Sequence, residues 1–240
     1  MESLAYYHFK IEDFFYGSSH ILKKQTLYLK KQNWTCLIGQ SGIGKTTLLK
    51  YLLGLNRKKI SNCPVSFSYM AQTDLLLPWA KVIENVVLGE KLRSQTPNYA
   101  KALEILAKVG LEQVSHFYPH QLSLGMKQRV ALARTLMEDS EIVLMDEPFS
   151  AADTKTRSEL QDYALKVLKG KTVLLVTHDI GEVLRLSSQL YILKGSPANA
   201  SLVNECQIQT ILNETQPPRD MQDLCLWQKA SSFLSSLYSE

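Results

Sequence analysis

The nine residues GQSGIGKTT, from Gly39 to Thr47, hold what a phosphate group needs. Gly39, Gly42 and Gly44 let backbone N–H groups close around phosphate oxygens, with Gln40, Ser41 and Ile43 between them. Lys45 adds positive charge at the β and γ positions, the Thr46 hydroxyl can ligate magnesium, and Thr47 continues into a helical pattern. The stretch follows an apolar run and opens a helix, the context in which GxxxxGK[ST] reads as nucleotide binding. Three further groups could do chemistry with a nucleotide. In IVLMDEP, Ile142 to Pro148, an apolar run ends in two acids. Asp146 would reach magnesium through its water, and Glu147 would polarise the water that attacks the γ-phosphate; read alone, the pair also fits solvated acids ending a strand. The run TVLLVT delivers His178, which could hold the γ-phosphate and water in line or be a structural histidine. In HQLSLGMKQRVALAR, Ser123 and Gly125 precede a basic helical pattern and suit an anion at a helix start, while Ser123 also fits an N-cap.

These groups need elements to carry them. WTCLIG (34–39), EIVLM (141–145), TVLLVT (172–177) and QLYIL (189–193) are short and apolar enough to be strands covered on both faces. They alternate with helical spacing at 45–53, 99–109, 126–137 and 155–168, with Gly110 a stop for the second of these. The expected fold is α/β, with a mostly parallel central sheet whose strand ends present the ligand groups. Residues 75 to 117 have helical patterning and no good strand, which predicts a helical subdomain inserted between two parts of the sheet. The pattern weakens beyond Gly195 and resumes as a short amphipathic segment at 221–238, too short for an independent domain.

With 240 residues and 45% hydrophobic content, the chain can bury one sizeable core, or one core with a smaller subdomain. The net charge of +4 is mild and the Lys and Arg residues are scattered, so they read as solvated surface and no nucleic-acid partner is expected. The start has no basic region followed by an apolar stretch, and no run approaches the roughly 18 apolar residues that span a bilayer. A cytosolic chain is expected. Cys36, Cys63, Cys206 and Cys225 are far apart with no CxxC or Cys/His cluster, so they read as buried or incidental thiols.

The ordered set of motifs resembles the ATP-binding subunits of ABC transporters over nearly the whole chain. GQSGIGKTT resembles the Walker A motif, Gln72 in YMAQTDLLLPW the Q-loop glutamine, and LSLGMKQR the ABC signature. IVLMDEP resembles Walker B with its catalytic glutamate, SAAD (150–153) the D-loop, and His178 the switch histidine. Tyr16, 29 residues before Lys45, resembles the aromatic that stacks on adenine, with Phe15 as the neighbouring alternative.

The resemblance implies a P-loop NTPase fold. Residues 1–74 and 138–200 would form a RecA-like core with a β edge, 75–137 a helical subdomain carrying the signature, and 201–240 a C-terminal tail. It implies an ATPase using ATP and magnesium ions, in which two copies pair head to tail, an expected homodimer. Ser123 and Gly125 would close on the γ-phosphate held by the other copy, Asp153 would link the two sites, and Gln72 would sense the γ-phosphate through magnesium or the attacking water. A transmembrane permease subunit is expected to dock around Gln72 to Gly89, where Leu76 and Trp79 are candidates. The LLPW form is similar to importers for nitrate, sulfonate, taurine and thiamine-precursor pyrimidines. That implies import of a small solute, an extracytoplasmic solute-binding protein in the complex, and a peripheral place at the cytoplasmic face of the membrane. A nucleotide-gated regulatory subunit with little hydrolysis and a soluble non-transport ABC ATPase are the alternatives.

Two departures from the family pattern stand out. Leu124 replaces the first glycine of LSGG, which would cost about 1 to 2 kcal/mol if that position needs a positive φ or a very close backbone approach. The 27 residues from Lys45 to Gln72 are roughly a dozen fewer than the family pattern, which predicts a trimmed antiparallel β edge.

Overall fold

The run Trp34–Gly39 is buried at every position, as are Ile142–Asp146 and Thr172–Val176, which is how strands read when both sheet faces are covered. The computed structural model describes residues 5–55, 65–150, 153–195 and 200–203. Along the chain the strands are β1 (Tyr6–Ile11), β2 (Phe14–Tyr16), β3 (Ser19–Leu22), β4 (Gln25–Lys30), β5 (Trp34–Gly39), β6 (Phe67–Met70), β7 (Ile142–Asp146), β8 (Thr172–Val176), β9 (Gln189–Lys194) and β10 (Ser201–Val203). The helices are α1 (Lys45–Leu52), α2 (Val82–Val86), α3 (Leu88–Leu92), α4 (Tyr99–Lys108), α5 (Leu124–Met137), α6 (Thr154–Val167) and α7 (Ile180–Leu186).

The described residues fall into two compact units, one before and including Val65 together with those from Gly170 on, the other Ser66–Lys169. In the first unit β5 pairs in parallel with β8 and with β9, and β10 runs antiparallel to β9. Antiparallel β1–β4 and the β2–β3 hairpin complete its strands. β1 and β4 bury alternate residues, Phe9 and Ile11 against Leu27 and Leu29, as expected of strands with one wet face. The core of this unit is Leu37, Ile38, Leu48 and Leu49 with the β8 and β9 side chains.

In the second unit β6 pairs in parallel with β7, pinned at its start by Ser140 Oγ donating to Ser68 Oγ (2.7 Å). Helix α4 buries one stripe, Ala102, Ile105 and Leu106. Arg129 of α5 donates to the carbonyls of Val109 and Gly110, which ties off the end of α4, and Gly110 has the φ of 68° expected of a helix stop. Among the described residues 75–117 there is no strand, as the patterning predicts. No helix among the described residues is long and apolar enough to cross a membrane. The amphipathic segment 221–238, Cys63, Cys206, Cys225 and residues 56–64 of the stretch between Lys45 and Gln72 lie outside the described residues; Cys36 is buried.

Candidate functional site

The phosphate loop is built in the first unit by close approach. A Cβ on Gly39 would sit 2.8 Å from the Leu193 carbonyl oxygen of β9, so only glycine fits where the chain leaves β5. Gly44, the N-cap of α1, has a φ of 114°, and a Cβ there would lie 3.1 Å from Ile21 Cγ2 on β3. This geometry aims the loop at the start of α1, where N–H groups lack helical acceptors and the dipole favours an anion. Lys45 is buried, its Nζ donating to the carbonyls of Gly39 (2.8 Å) and Gln40 (3.0 Å). Gln40, Ser41, Gly42 and Thr46 are exposed, Thr47 is half-buried, and Ile43 packs inward.

Tyr16 stands on the β2–β3 hairpin and is 80% exposed. Phe15 instead stacks on His20 (4.5 Å between centroids, 16°), whose Nε2 lies 2.9 Å from Asp13 Oδ1. Of the two aromatics, Phe15 has one ring face taken and Tyr16 is the more open.

His178, exposed, leaves β8 beside the phosphate loop, since Leu37 of β5 and Val176 of β8 are register partners. Both its neighbours are anchored. Thr177 Oγ1 donates to the buried Glu182 (2.6 Å) and accepts from the Asp179 N–H (3.0 Å), while Asp179 caps α7 through the Gly181 N–H (2.7 Å). Thr177 and Glu182 were not singled out from the sequence, because a buried acid seated by a threonine has no local signature.

The second unit holds the two acids. Asp146 is buried at the end of β7, and Glu147 follows with a φ of 47°. That left-handed backbone costs a glutamate roughly 1 to 2 kcal/mol, and the turn is held by Ser150, whose N–H and Oγ both donate to the Glu147 carbonyl. Gln72 Nε2 lies 3.5 Å from Glu147 Oε2, at the outer limit of a hydrogen bond. The Tyr69 hydroxyl donates to Asp146 Oδ2 (3.2 Å). Burial, then the Asp146 charge and that hydrogen bond, push Tyr69 up to about 12, so it is a donor at neutral pH.

Ser123 caps α5 by accepting from the Met126 N–H (3.3 Å), as its N-cap reading predicts. Leu124 begins the helix with a right-handed backbone and is 47% exposed, so the positive-φ condition for a glycine-specific cost does not arise. Gly125 is different: a Cβ there would lie 2.5 Å from Thr156 Cγ2 on α6. Thr156 in turn donates its hydroxyl to Asp153 Oδ2 (2.7 Å), and Asp153 caps α6 through the Lys155 and Thr156 N–H groups. Ala151 and Ala152 of the SAAD motif lie outside the described residues.

The Thr156 hydroxyl first, and the two N–H groups next, hold the Asp153 carboxyl below the usual carboxylate range. Its folded value is the lower one. The cap therefore stabilises fully above the unfolded value near about 4 and fades as pH falls through the folded value. Asp153→Asn, which keeps an acceptor but not the charge, should flatten the acid limb of a plot of Tm against pH; an unchanged limb would remove Asp153 from it.

The segment after Gln72 is braced on two sides. Arg134 of α5 donates to the carbonyls of Asp74 (2.6 Å) and Leu75 (2.9 Å), and fully buried Asn85 bonds Leu77, Ala80 and Lys81. Burial lowers Arg134 from its ordinary value while Asp74 opposes the change. The braced loop presents Leu75 (φ 48°, 62% exposed) and Trp79 (74% exposed), with Leu76 half-buried.

Residues 22–150 match the family model described as ABC transporter, over more than half of the chain. This chain belongs to the ABC transporter family. It is 36% identical over 233 residues to an ABC transporter ATP-binding protein of Haemophilus influenzae, covering 94% of this chain and 95% of that one. It is 38% identical to the aliphatic sulfonates import ATP-binding protein SsuB 1 of Shouchella clausii, over 79% of this chain and 78% of that protein. The taurine import ATP-binding protein TauB of Pelagibacter ubique is also 38% identical, over 74% and 72%. The structure of cbiO1 from Clostridium perfringens, part of the ABC transporter complex cbiONQ, superposes with a TM-score of 0.71 at 22% identity, covering 87% and 94% of the two chains, and shares the fold. The protein is an ABC transporter ATP-binding subunit and an ATPase.

Proposed function

We propose that this ABC ATPase powers import of a small solute by closing on a second copy of itself around two magnesium-ATP molecules and reopening after hydrolysis. The similarity to import ATP-binding proteins for aliphatic sulfonates and taurine carries this reading. Gly39 to Thr47 hold the phosphates, Tyr16 stacks on adenine, and Ser123 and Gly125 complete the γ-phosphate shell of the partner copy. The Thr46 hydroxyl, the Asp146 carboxylate and the Gln72 amide oxygen are hard oxygen donors, the chemistry that suits magnesium. When bound, magnesium would neutralise charge on the phosphates; Thr46, Asp146 and Gln72 would hold it.

Glu147 takes the proton of the attacking water, and His178 orients that water and the γ-phosphate. Gln72 reports the γ-phosphate to the loop behind it, and Asp153 links the two sites. A membrane permease docks on residues 72–89, with Leu75 and Trp79 as apolar anchors, and a solute-binding protein delivers cargo from the other side. The chain then works at the cytoplasmic face. Residues 75–137 act as the helical subdomain, 1–74 with 138–200 as the core, and 201–240 as a tail.

The test is vectorial. With its cognate permease in proteoliposomes, ATP on the subunit's side should draw solute toward that side, and Trp79→Glu should abolish that flux. Flux away from the ATP side would overturn import, and full flux in Trp79→Glu would move the docking surface elsewhere.

A further inference from the structure

Tyr69 is not among the groups a nucleotide motif calls for, yet it reaches one of them. In the parallel β6–β7 pair, Tyr69 stands opposite Leu144 and Met70 opposite Met145. Asp146 is two residues beyond Leu144, so it lies on the same sheet face as Tyr69, one diagonal step along. A diagonal of about 7 to 8 Å between such positions is within reach of a tyrosine and beyond that of a short side chain. The hydroxyl spans it and donates to Asp146 Oδ2 at 3.2 Å. Continuing the same register sets Gln72 against Glu147, where their side chains meet at 3.5 Å. Two side-chain contacts thus cross between the ends of β6 and β7, and each ends on a carboxylate of the hydrolytic machinery.

Asp146 is buried, and its rotation about the bond to the carboxylate decides which way each oxygen points. A phenolic donor fixed by β6 holds one oxygen and so sets the direction of the other. Groups that orient a metal's carboxylate in this way commonly matter to metal affinity by about 10- to 100-fold when removed.

From this geometry we infer that Tyr69 is a positioning residue for magnesium, holding the Asp146 carboxylate in the orientation that receives the cation with its water. The inference rests on the proposed role of Asp146 toward magnesium. It predicts a specific split: nucleotide affinity without metal is untouched, and the metal concentration needed to tighten binding rises.

The experiment uses the full chain in a Glu147→Gln background, where nucleotide is not turned over, with a ribose-fluorescent ATP as probe. Magnesium is titrated from an EDTA-buffered zero, and the half-saturating concentration is read from the fluorescence. Tyr69→Phe should raise that concentration about tenfold while the affinity measured in EDTA stays within about twofold, because the phosphate loop is intact. Tyr69→Leu serves as a second variant without the ring, and a melting curve for each shows that it is folded. If Asp146→Asn shifts the magnesium requirement and neither Tyr69 variant does, the positioning role is wrong and the role of Asp146 stands. If Asp146→Asn also leaves the requirement unchanged, Asp146 is not at the metal and both fall. If the Tyr69 variants weaken nucleotide binding equally with and without magnesium, Tyr69 serves packing alone and the inference is overturned.

Discussion

Glu147→Gln should bind ATP with parental affinity and hydrolyse it about 10² to 10⁴ times more slowly, the range general-base catalysis contributes. The amide keeps the shape of the side chain and loses the ability to accept a proton. The reason to look here first is the backbone: Glu147 has a φ of 47°, a conformation glutamate disfavours, and Ser150 bonds its carbonyl through both N–H and hydroxyl. Strain of this kind persists where the surrounding structure imposes it, often at reacting groups. A second consequence follows from the proposed clamp. With hydrolysis blocked, magnesium-ATP should hold two copies together, visible as a doubled mass in light scattering that EDTA reverses. Phosphate release at the parental rate would remove Glu147 from the role of base, and a monomer under every condition would argue against closure of two copies around the nucleotide.

Lys45→Ala should lose more at binding. The Lys45 ammonium is buried and tied to the Gly39 and Gln40 carbonyls, so its position inside the loop is set before a phosphate arrives. A preorganised charge of this sort aimed at a phosphate contributes about 10² to 10³ in rate. We expect kcat/KM for ATP to fall by that factor, with fluorescent-nucleotide affinity falling as well. Lys45→Arg should not restore activity: the loop encloses a compact ammonium, and a planar guanidinium presents a different donor geometry. An alanine variant that binds and hydrolyses ATP as the parent does would place the phosphates elsewhere.

Where chemistry is local, the sequence carried it. The phosphate loop needs its glycines, lysine and threonine within nine positions, because one turn of backbone and the start of one helix form the whole cradle. The cap of α5 was written locally too, since Ser123 bonds an N–H group three residues ahead, whereas the Asp153 cap of α6 was not singled out. The buried strands β5, β7, β8 and β9 were legible because strands covered on both faces must be apolar throughout. The strands β1 to β4, β6 and β10 were not picked out, because they draw stability from cross-strand partners more than from their own residues.

Long-range placement belonged to the tertiary structure. Nothing near Gly125 in the chain announces that Thr156, 31 residues on, fills the space a Cβ would need. Nothing near Tyr69 points to Asp146, 77 residues away, nor near Arg134 to the carbonyls of Asp74 and Leu75. The left-handed backbone of Glu147 and the right-handed one of Leu124 were likewise set by the turn and the helix around them. Sequence determines which groups are available and how neighbours a few bonds apart will meet; strand register and helix packing decide which distant groups are brought within hydrogen-bond reach, since those distances depend on the fold as a whole.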